Sequence, residues 1–98
     1  MAIVLSARAE AEFEQIFEDT ITRWGEAQAR VYAQKLNKRI SLMSTIPGAG
    51  RARPDLGEGI RSIAAGSHII FFKVTGADAI ILSVRHAKRR EPRLEDLE

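Results

Sequence analysis

The spacing of apolar residues changes once along this 98-residue chain, and that change limits the folds open to it. Before residues 47–59, apolar side chains recur at helical intervals of three and four. After them, short β-branched and aromatic runs alternate with turn residues. The segment between, "PGAGRARPDLGEG", holds two of the three prolines and four of the seven glycines, which predicts a loop. The chain therefore predicts a helical half followed by a β half, in a single domain over residues 1–98.

The pattern of residues 1–46 predicts a short strand followed by two helices. The strand covers residues 1–5, and Ser6 is suited to cap a helix over 7–24. Gly25 predicts a break, because glycine adopts the left-handed conformation at a helix end at little cost. A second helix over 26–46 then predicts an antiparallel helical hairpin. The stripe on the first helix, which we expect to be core up to its last residue, is Phe13, Ile16, Phe17, Ile21 and Trp24.

The β half predicts a three-stranded antiparallel meander over residues 60–86, because Gly66-Ser67 and residues 76–78 separate its apolar runs as hairpin turns do. The fold class is therefore α+β, with the helical hairpin packed on the meander in the order β-α-α-β-β-β. Residues 87–98 form a tail that is first basic and then acidic. The strands are apolar on both faces, so part of the sheet face away from the helices needs its own cover.

Alternation along the strands predicts which side chains share a face. In the last strand, His86 lies on the opposite face from Arg85, and Val84 lies on the same face as Leu82. If the register brings Arg61 and Arg85 to one face, a guanidinium cluster forms there with Arg51 and Arg53. His68 is expected to be an ordinary polar strand residue, and Tyr32 lies on the core face of its helix.

The charges are unevenly distributed. Residues 51–90 carry eight basic and three acidic side chains, whereas residues 91–98 carry one basic and four acidic. A basic region of this kind favours an anionic partner. There is no cysteine, and the two histidines lack metal-ligand spacing, so we expect no metal and no cofactor. Without an apolar run of about 18 residues, a soluble cytoplasmic protein with no membrane contact is expected.

Four segments together resemble the RelE/ParE superfamily of bacterial toxins, and most closely its ParE branch. They are "WGEAQARVYAQKL" on the helices, "IPGAGRARPDLGEGIRS" in the loop and first meander strand, and the strands "HIIFFKV" and "IILSVRHAKRR". The resemblance covers about residues 3 to 90. It implies the same fold as the residue pattern, and a cognate ParD-like antitoxin that binds the toxin directly in a hetero-oligomer. ParE-type members poison DNA gyrase, whereas RelE-type members cut messenger RNA on the ribosome.

Two functions follow from this resemblance. The first is inhibition of DNA gyrase without catalysis by this chain, so the protein is more an inhibitor than an enzyme. Its basic side chains would grip phosphates or carboxylates. The expected target-binding residues are Arg51, Arg53, Arg61, Arg85, His86, Lys88, Arg89 and Arg90.

The alternative is a ribosome-dependent endoribonuclease in which Arg61, Arg85 and His86 would be catalytic. For this reaction the sequence offers no clear second acid–base residue near the C-terminus. A third reading is a chain that has lost toxicity and only binds its antitoxin. The apolar positions Val31 and Leu42, off the main helix stripes, are candidates for antitoxin contact.

Overall fold

The computed structural model describes residues 2–46, 48–76, 78–88 and 97. Within them the chain forms strand β1 (Ala2–Leu5), helices α1 (Ala7–Trp24) and α2 (Glu26–Thr45), and strands β2 (Arg51–Ala52), β3 (Ile60–Ala65), β4 (His68–Thr75) and β5 (Asp78–His86). The predicted α+β class is confirmed. The segment predicted as a loop, residues 47–59, also contains the two-residue strand β2.

The sheet has five strands in the order β1-β5-β4-β3-β2. The meander β3-β4-β5 is antiparallel, as predicted, and β2 adds to it antiparallel beside β3. The first strand joins the other side, where it pairs parallel with β5 from Ala2 opposite Asp78 to Leu5 opposite Ile81. Because β1 ends there, no strand among the described residues neighbours the last part of β5 on that side.

The helix boundaries follow from local chemistry. The hydroxyl of Ser6 caps α1 by accepting from the amide of Ala9 at 3.1 Å, and it donates to the carbonyl of Leu82. Gly25, with φ of +89°, separates the helices: its amide donates to Ile21, and its carbonyl accepts from Ala29 to begin α2. Ser6 thus ties the start of α1 to β5, and Gly25 folds α2 back along α1.

Two apolar clusters hold the layers together, one on each face of the sheet. The cluster between helices and sheet contains Ala9, Leu36, Met43, Ala65, Ile70, Phe72, Ile81 and Val84. The cluster on the far face contains Leu56, Ile60, Phe71 and Leu97, with Ile69 and Leu82 packed against it. The cover that the sequence required for this face is thus supplied by the loop residue Leu56 and by Leu97, which is 3% exposed.

A bulge in β5 changes the predicted faces. The register runs from Thr75 opposite Asp78 to Phe72 opposite Ile81, and then resumes with Phe71 opposite Ser83, which leaves Leu82 as an extra residue. Consequently Leu82 packs in the far-face cluster while Val84 packs in the helix-side cluster. The prediction that these two side chains share a face was wrong, because strict alternation assumes an uninterrupted ladder.

Candidate functional site

A groove of about 850 Å³ lies between α1 and the end of β5. We call it the α1–β5 groove. One wall is the face of α1 that carries Glu12, Asp19 and Arg23. The other is formed by Ser67 and His68 at the β3–β4 turn and by Val84, Arg85, His86 and Lys88. The groove forms where β1 ends, at Leu5 opposite Ile81, and α1 crosses beside the following part of β5.

Glu12 closes this edge at the bulge. Its Oε1 accepts from the hydroxyl of Ser83 at 2.8 Å and from the backbone amide of Val84 at 3.2 Å. Ser83 is completely buried, so the carboxylate supplies partners for polar groups that would otherwise lack them. The Nε of Arg85 donates to the same hydroxyl at 3.2 Å. A helix carboxylate therefore satisfies the edge where a neighbouring strand would otherwise pair.

Three rings meet at the other end of the groove. The hydroxyl of Tyr32 lies 2.5 Å from Nδ1 of His68, and the ring of His68 meets that of His86 edge-on with 5.3 Å between centroids. His86 in turn accepts from the backbone amide of Lys88 through its own Nδ1 at 3.1 Å. The register explains this arrangement, since His68 lies directly opposite His86. No second acid–base residue was expected near the C-terminus, and the register instead brings His68, at the start of β4, beside His86.

The β3–β4 turn holds Tyr32 in place. The amide of Ser67 donates to the hydroxyl of Tyr32 at 2.9 Å, and the carbonyl of Ala65 lies 3.4 Å from it. Gly66 adopts φ of +59°, and a Cβ at this position would lie 2.7 Å from the ring. The turn thus needs glycine for its backbone and also for the space that the tyrosine occupies. Tyr32 therefore belongs to the groove as much as to the core.

The guanidinium group of Arg61 is hydrogen-bonded to the loop at residues 48–50. Its Nε donates to the carbonyl of Ala49 at 3.0 Å, and its Nη2 donates to Gly48 at 2.8 Å and Gly50 at 3.0 Å. It also lies opposite Phe72, on the helix side of the sheet, while Arg85 lies opposite Ile69 of the far-face cluster. The expected guanidinium cluster on one face is therefore wrong, because the bulge in β5 turns Arg85 the other way.

Arg53 is also structural. It is 7% exposed, lies over the ring of Phe71 at 5.8 Å and donates to both carboxylate oxygens of Asp55, at 3.2 and 3.1 Å. These hydrogen bonds hold the pKa of the Asp55 carboxyl below its ordinary value. A further contact, at 3.5 Å, reaches the hydroxyl of Ser62. The expectation of a target-binding role for Arg53 conflicts with this burial.

The remaining candidate basic residues are distributed over two regions. Arg51 is exposed on β2, at the edge of the sheet remote from the groove. Arg85 is half-buried, and it lines the α1–β5 groove together with the exposed His86 and Lys88. Arg89 and Arg90 lie outside the described residues. The structure thus places Arg85, His86 and Lys88 at one site.

Trp24 was expected in the core but is 72% exposed, at the rim of the α1–β5 groove. The stripe on α1 divides: Phe13 and Ile16 pack on the core, while Phe17 and Ile21 are exposed on the same helix as Trp24. A helical stripe gives the direction of an apolar face but not how far the sheet extends beneath it, so this exposure could not be predicted.

A second, smaller groove of about 260 Å³ lies between the two helices and is mostly apolar. The side chains that line it include Phe13, Phe17, Leu36 and Ile40. Of the two residues expected to bind an antitoxin, Val31 is 59% exposed and Leu42 is half-buried, and neither lines this groove. The structure places the apolar concavity on another face of α2.

In residues 2–46, 48–76, 78–88 and 97, no three histidine, aspartate or glutamate side chains are grouped as metal ligands. Neither helix of that part of the chain has the length and apolar character needed to cross a membrane.

Comparison with known proteins identifies the fold and the family. The family described as "ParE toxin of type II toxin-antitoxin system, parDE" matches residues 3–91. The chain is 37% identical over 86 residues to Toxin ParE1 of Mycobacterium tuberculosis (strain ATCC 25618 / H37Rv), covering 87% of this chain and 88% of that protein. It is 38% identical over 82 residues to Toxin ParE1 of Caulobacter vibrioides, covering 84% of each.

A solved structure shows the same fold. The chain from the chromosomal ParDE toxin–antitoxin system of P. aeruginosa aligns with a TM-score of 0.77 at 19% identity, over 90% of this chain and 97% of that one. With the family match spanning nearly all of the sequence, this chain belongs to the ParE toxin family of type II toxin–antitoxin systems.

Proposed function

We propose that the protein inhibits DNA gyrase and that a cognate ParD-like antitoxin neutralises it by binding it directly. The observation that carries this proposal is the match to the ParE toxin family over residues 3–91. Gyrase acts on DNA in the bacterial cytoplasm, so the proposed location is the cytoplasm. Inhibition needs only a binding surface, and we assign no catalytic step to this chain.

The proposed gyrase-binding surface is the basic end of β5 and the segment after it. Lys88 is exposed there beside His86, and the sequence continues with Arg89 and Arg90. Arg51 is a further exposed cation, at the opposite sheet edge. We exclude Arg53 and Arg61 from this surface, because their guanidinium groups already hold Asp55 and the carbonyls of residues 48–50.

The proposed antitoxin-binding surface is the exposed apolar part of α1 with the smaller groove beside it. Phe17, Ile21 and Trp24 are spaced four and three residues apart and form one exposed stripe. Phe17 also lines the groove between the helices. An amphipathic helix with apolar residues at matching intervals would bury this stripe, which is the usual mode of helix-in-groove recognition. Val31, also exposed, would lie at the margin of such a contact.

The direct test is supercoiling of relaxed plasmid by gyrase in the presence of the purified protein, with and without its antitoxin. We expect inhibition or trapped cleaved DNA, reversed by the antitoxin. Replacing Lys88, Arg89 and Arg90 with glutamine should remove the inhibition while far-UV circular dichroism remains unchanged. The matched control replaces three exposed cations of α2, Lys35, Lys38 and Arg39, with glutamine and should still inhibit. Inhibition that survives the first triple replacement would refute the proposed surface.

Cleavage of ribosome-bound messenger RNA is a second candidate, favoured by one observation. The pairing of His68 with His86 supplies the two imidazoles that a metal-independent cleavage could use as base and acid. Arg61 cannot assist as expected, because the 48–50 loop occupies it. Mapping of messenger RNA ends on translating ribosomes decides the question. New ends that vanish in His86→Gln would establish cleavage, and an intact message at inhibitory protein concentrations would exclude it.

A further inference from the structure

An exposed indole and several cationic side chains share the α1–β5 groove. Trp24 is the only tryptophan of the chain and is 72% exposed at the groove rim, directly after Arg23. A tryptophan so placed presents a flat apolar face to solvent. The groove also contains Arg85, His86 and Lys88. Flat aromatic surface beside positive charge is the combination that binds a planar base and its phosphate.

Hydrogen bonds and ring contacts join the side chains of the end wall of the groove. The hydroxyl of Tyr32 accepts from the amide of Ser67 at 2.9 Å and contacts Nδ1 of His68. The ring of His86 packs against His68 and is held on its other side by the amide of Lys88 at 3.1 Å. Side chains fixed by their own hydrogen bonds lose little entropy on binding, so this wall is pre-organised.

The charge of the groove favours an anion at this end. The lining of the groove includes three guanidinium or ammonium groups, from Arg23, Arg85 and Lys88, and two carboxylates, from Glu12 and Asp19. Glu12 already accepts from Ser83 and Val84, and Asp19 accepts from Gln15 at 2.9 Å. Both carboxylates lie on the α1 wall. The imidazoles and Lys88 lie across from them, where a phosphate would meet donors.

We propose that the α1–β5 groove binds a nucleotide, with the base on the indole of Trp24 and the phosphate beside His86 and Lys88. The groove volume, about 850 Å³, falls within the range of small-molecule sites. The mixed polar lining suits such a ligand better than the apolar face of a helix, which the smaller groove would hold. The nucleotide can be free or can be one unit of a single strand. The inference requires neither gyrase nor the ribosome as target.

The single tryptophan makes the test specific to the site. The purified full-length protein is titrated with AMP, adenosine, inorganic phosphate and the oligonucleotide (dA)₈, with excitation at the red edge of indole absorption. Trp24 fluorescence should be quenched saturably by AMP at concentrations below about 10 mM, because stacking on a base quenches indole. Adenosine and phosphate alone should each bind at least about tenfold more weakly, since each offers half of the contacts.

A variant pair separates the site from general electrostatics. His86→Gln with Lys88→Gln should weaken AMP binding about tenfold or more, whereas Lys35→Gln with Lys38→Gln, on exposed α2 positions, should leave it unchanged. Binding of (dA)₈ about tenfold tighter than AMP identifies a single strand as the source, and equal affinities identify the free nucleotide. Absence of saturable quenching, equal binding of adenosine and AMP, or equal loss in both variant pairs would overturn the proposal. These outcomes are independent of any gyrase result.

Discussion

Alanine substitutions at Gly66 and Gly76 form a matched pair that tests how the β3–β4 turn holds Tyr32 in the end wall of the α1–β5 groove. Each glycine opens a turn between antiparallel strands, with φ of +59° and +55°, so alanine would meet nearly the same backbone penalty at both. Their surroundings differ. A Cβ at Gly76 meets nothing within 4 Å, whereas at Gly66 it would lie 2.7 Å from Cε1 and 2.8 Å from the hydroxyl of Tyr32.

The magnitudes follow from these contacts. Gly76→Ala should cost about 1–2 kcal/mol, the penalty for a left-handed alanine. Gly66→Ala carries the same penalty, and it must also displace a ring that Ser67 and His68 hold by hydrogen bonds. Overpacking of this kind costs about 1–3 kcal/mol more. The unfolding free energy of Gly66→Ala should therefore lie below that of Gly76→Ala by roughly that amount.

Urea unfolding followed by far-UV circular dichroism measures the difference, which should appear as a midpoint lower by about 0.5–2 M for Gly66→Ala. Repeating both substitutions in a Tyr32→Ala background isolates the cause, since without the ring the two alanines should have equal effects. Equal midpoints of Gly66→Ala and Gly76→Ala in the parent chain would refute the reasoning. So would a difference that persists in the Tyr32→Ala background.

Two further predictions concern the arginines that the structure assigns to the fold. Hydrogen bonds from Arg53 hold the pKa of the Asp55 carboxyl below its ordinary value of 3.8 in the folded protein. The ionised carboxylate therefore stabilises the fold at pH values above 3.8, and this contribution is lost as the pH falls through the lower pKa of the folded state. Asp55→Asn should thus flatten the acid limb of a thermal-stability profile, and an unchanged limb would contradict the assignment. Arg61→Gln should lower the unfolding free energy by about 1–3 kcal/mol, because three charged hydrogen bonds to residues 48–50 are lost. Arg51→Gln, on the exposed strand β2, should change the unfolding free energy by less than about 0.5 kcal/mol. Equal urea midpoints for these two variants would contradict the structural role of Arg61.

Most of the secondary structure could be predicted from the sequence, because residues close to each helix or strand end determine where it begins and ends. Ser6 caps α1 through its own side chain, Gly25 provides the left-handed break, and Gly66 makes the turn into β4. These signals lie within a few residues of their effect. The two-residue strand β2 carries no such signal, since its pairing with β3 is set by the course of the loop around it.

The α1–β5 groove could not be predicted in the same way, because its lining depends on the register between β4 and β5. Counting back from the β4–β5 turn, where Thr75 lies opposite Asp78, an unbroken ladder would put His68 opposite Arg85. The extra residue, Leu82, shifts the later pairs by one, and His68 meets His86 instead. No residue type in the segment "IILSVRH" predicts a bulge. The candidate histidine was therefore found from the sequence, and its partner was not.

The bulge and Glu12 are two parts of one arrangement. Where the ladder of β5 is interrupted, Ser83 is buried and the amide of Val84 faces α1, so both polar groups need partners outside the sheet. A carboxylate one helix turn further from Ser6 could not reach them as Glu12 does, because Ser6 fixes α1 against Ile81 and Leu82. The cap thus sets where α1 crosses the edge, and Glu12 stabilises the bulge there. The bulge in turn places His86 beside His68, so the cap at Ser6 and the pairing of the two histidines are connected through Glu12.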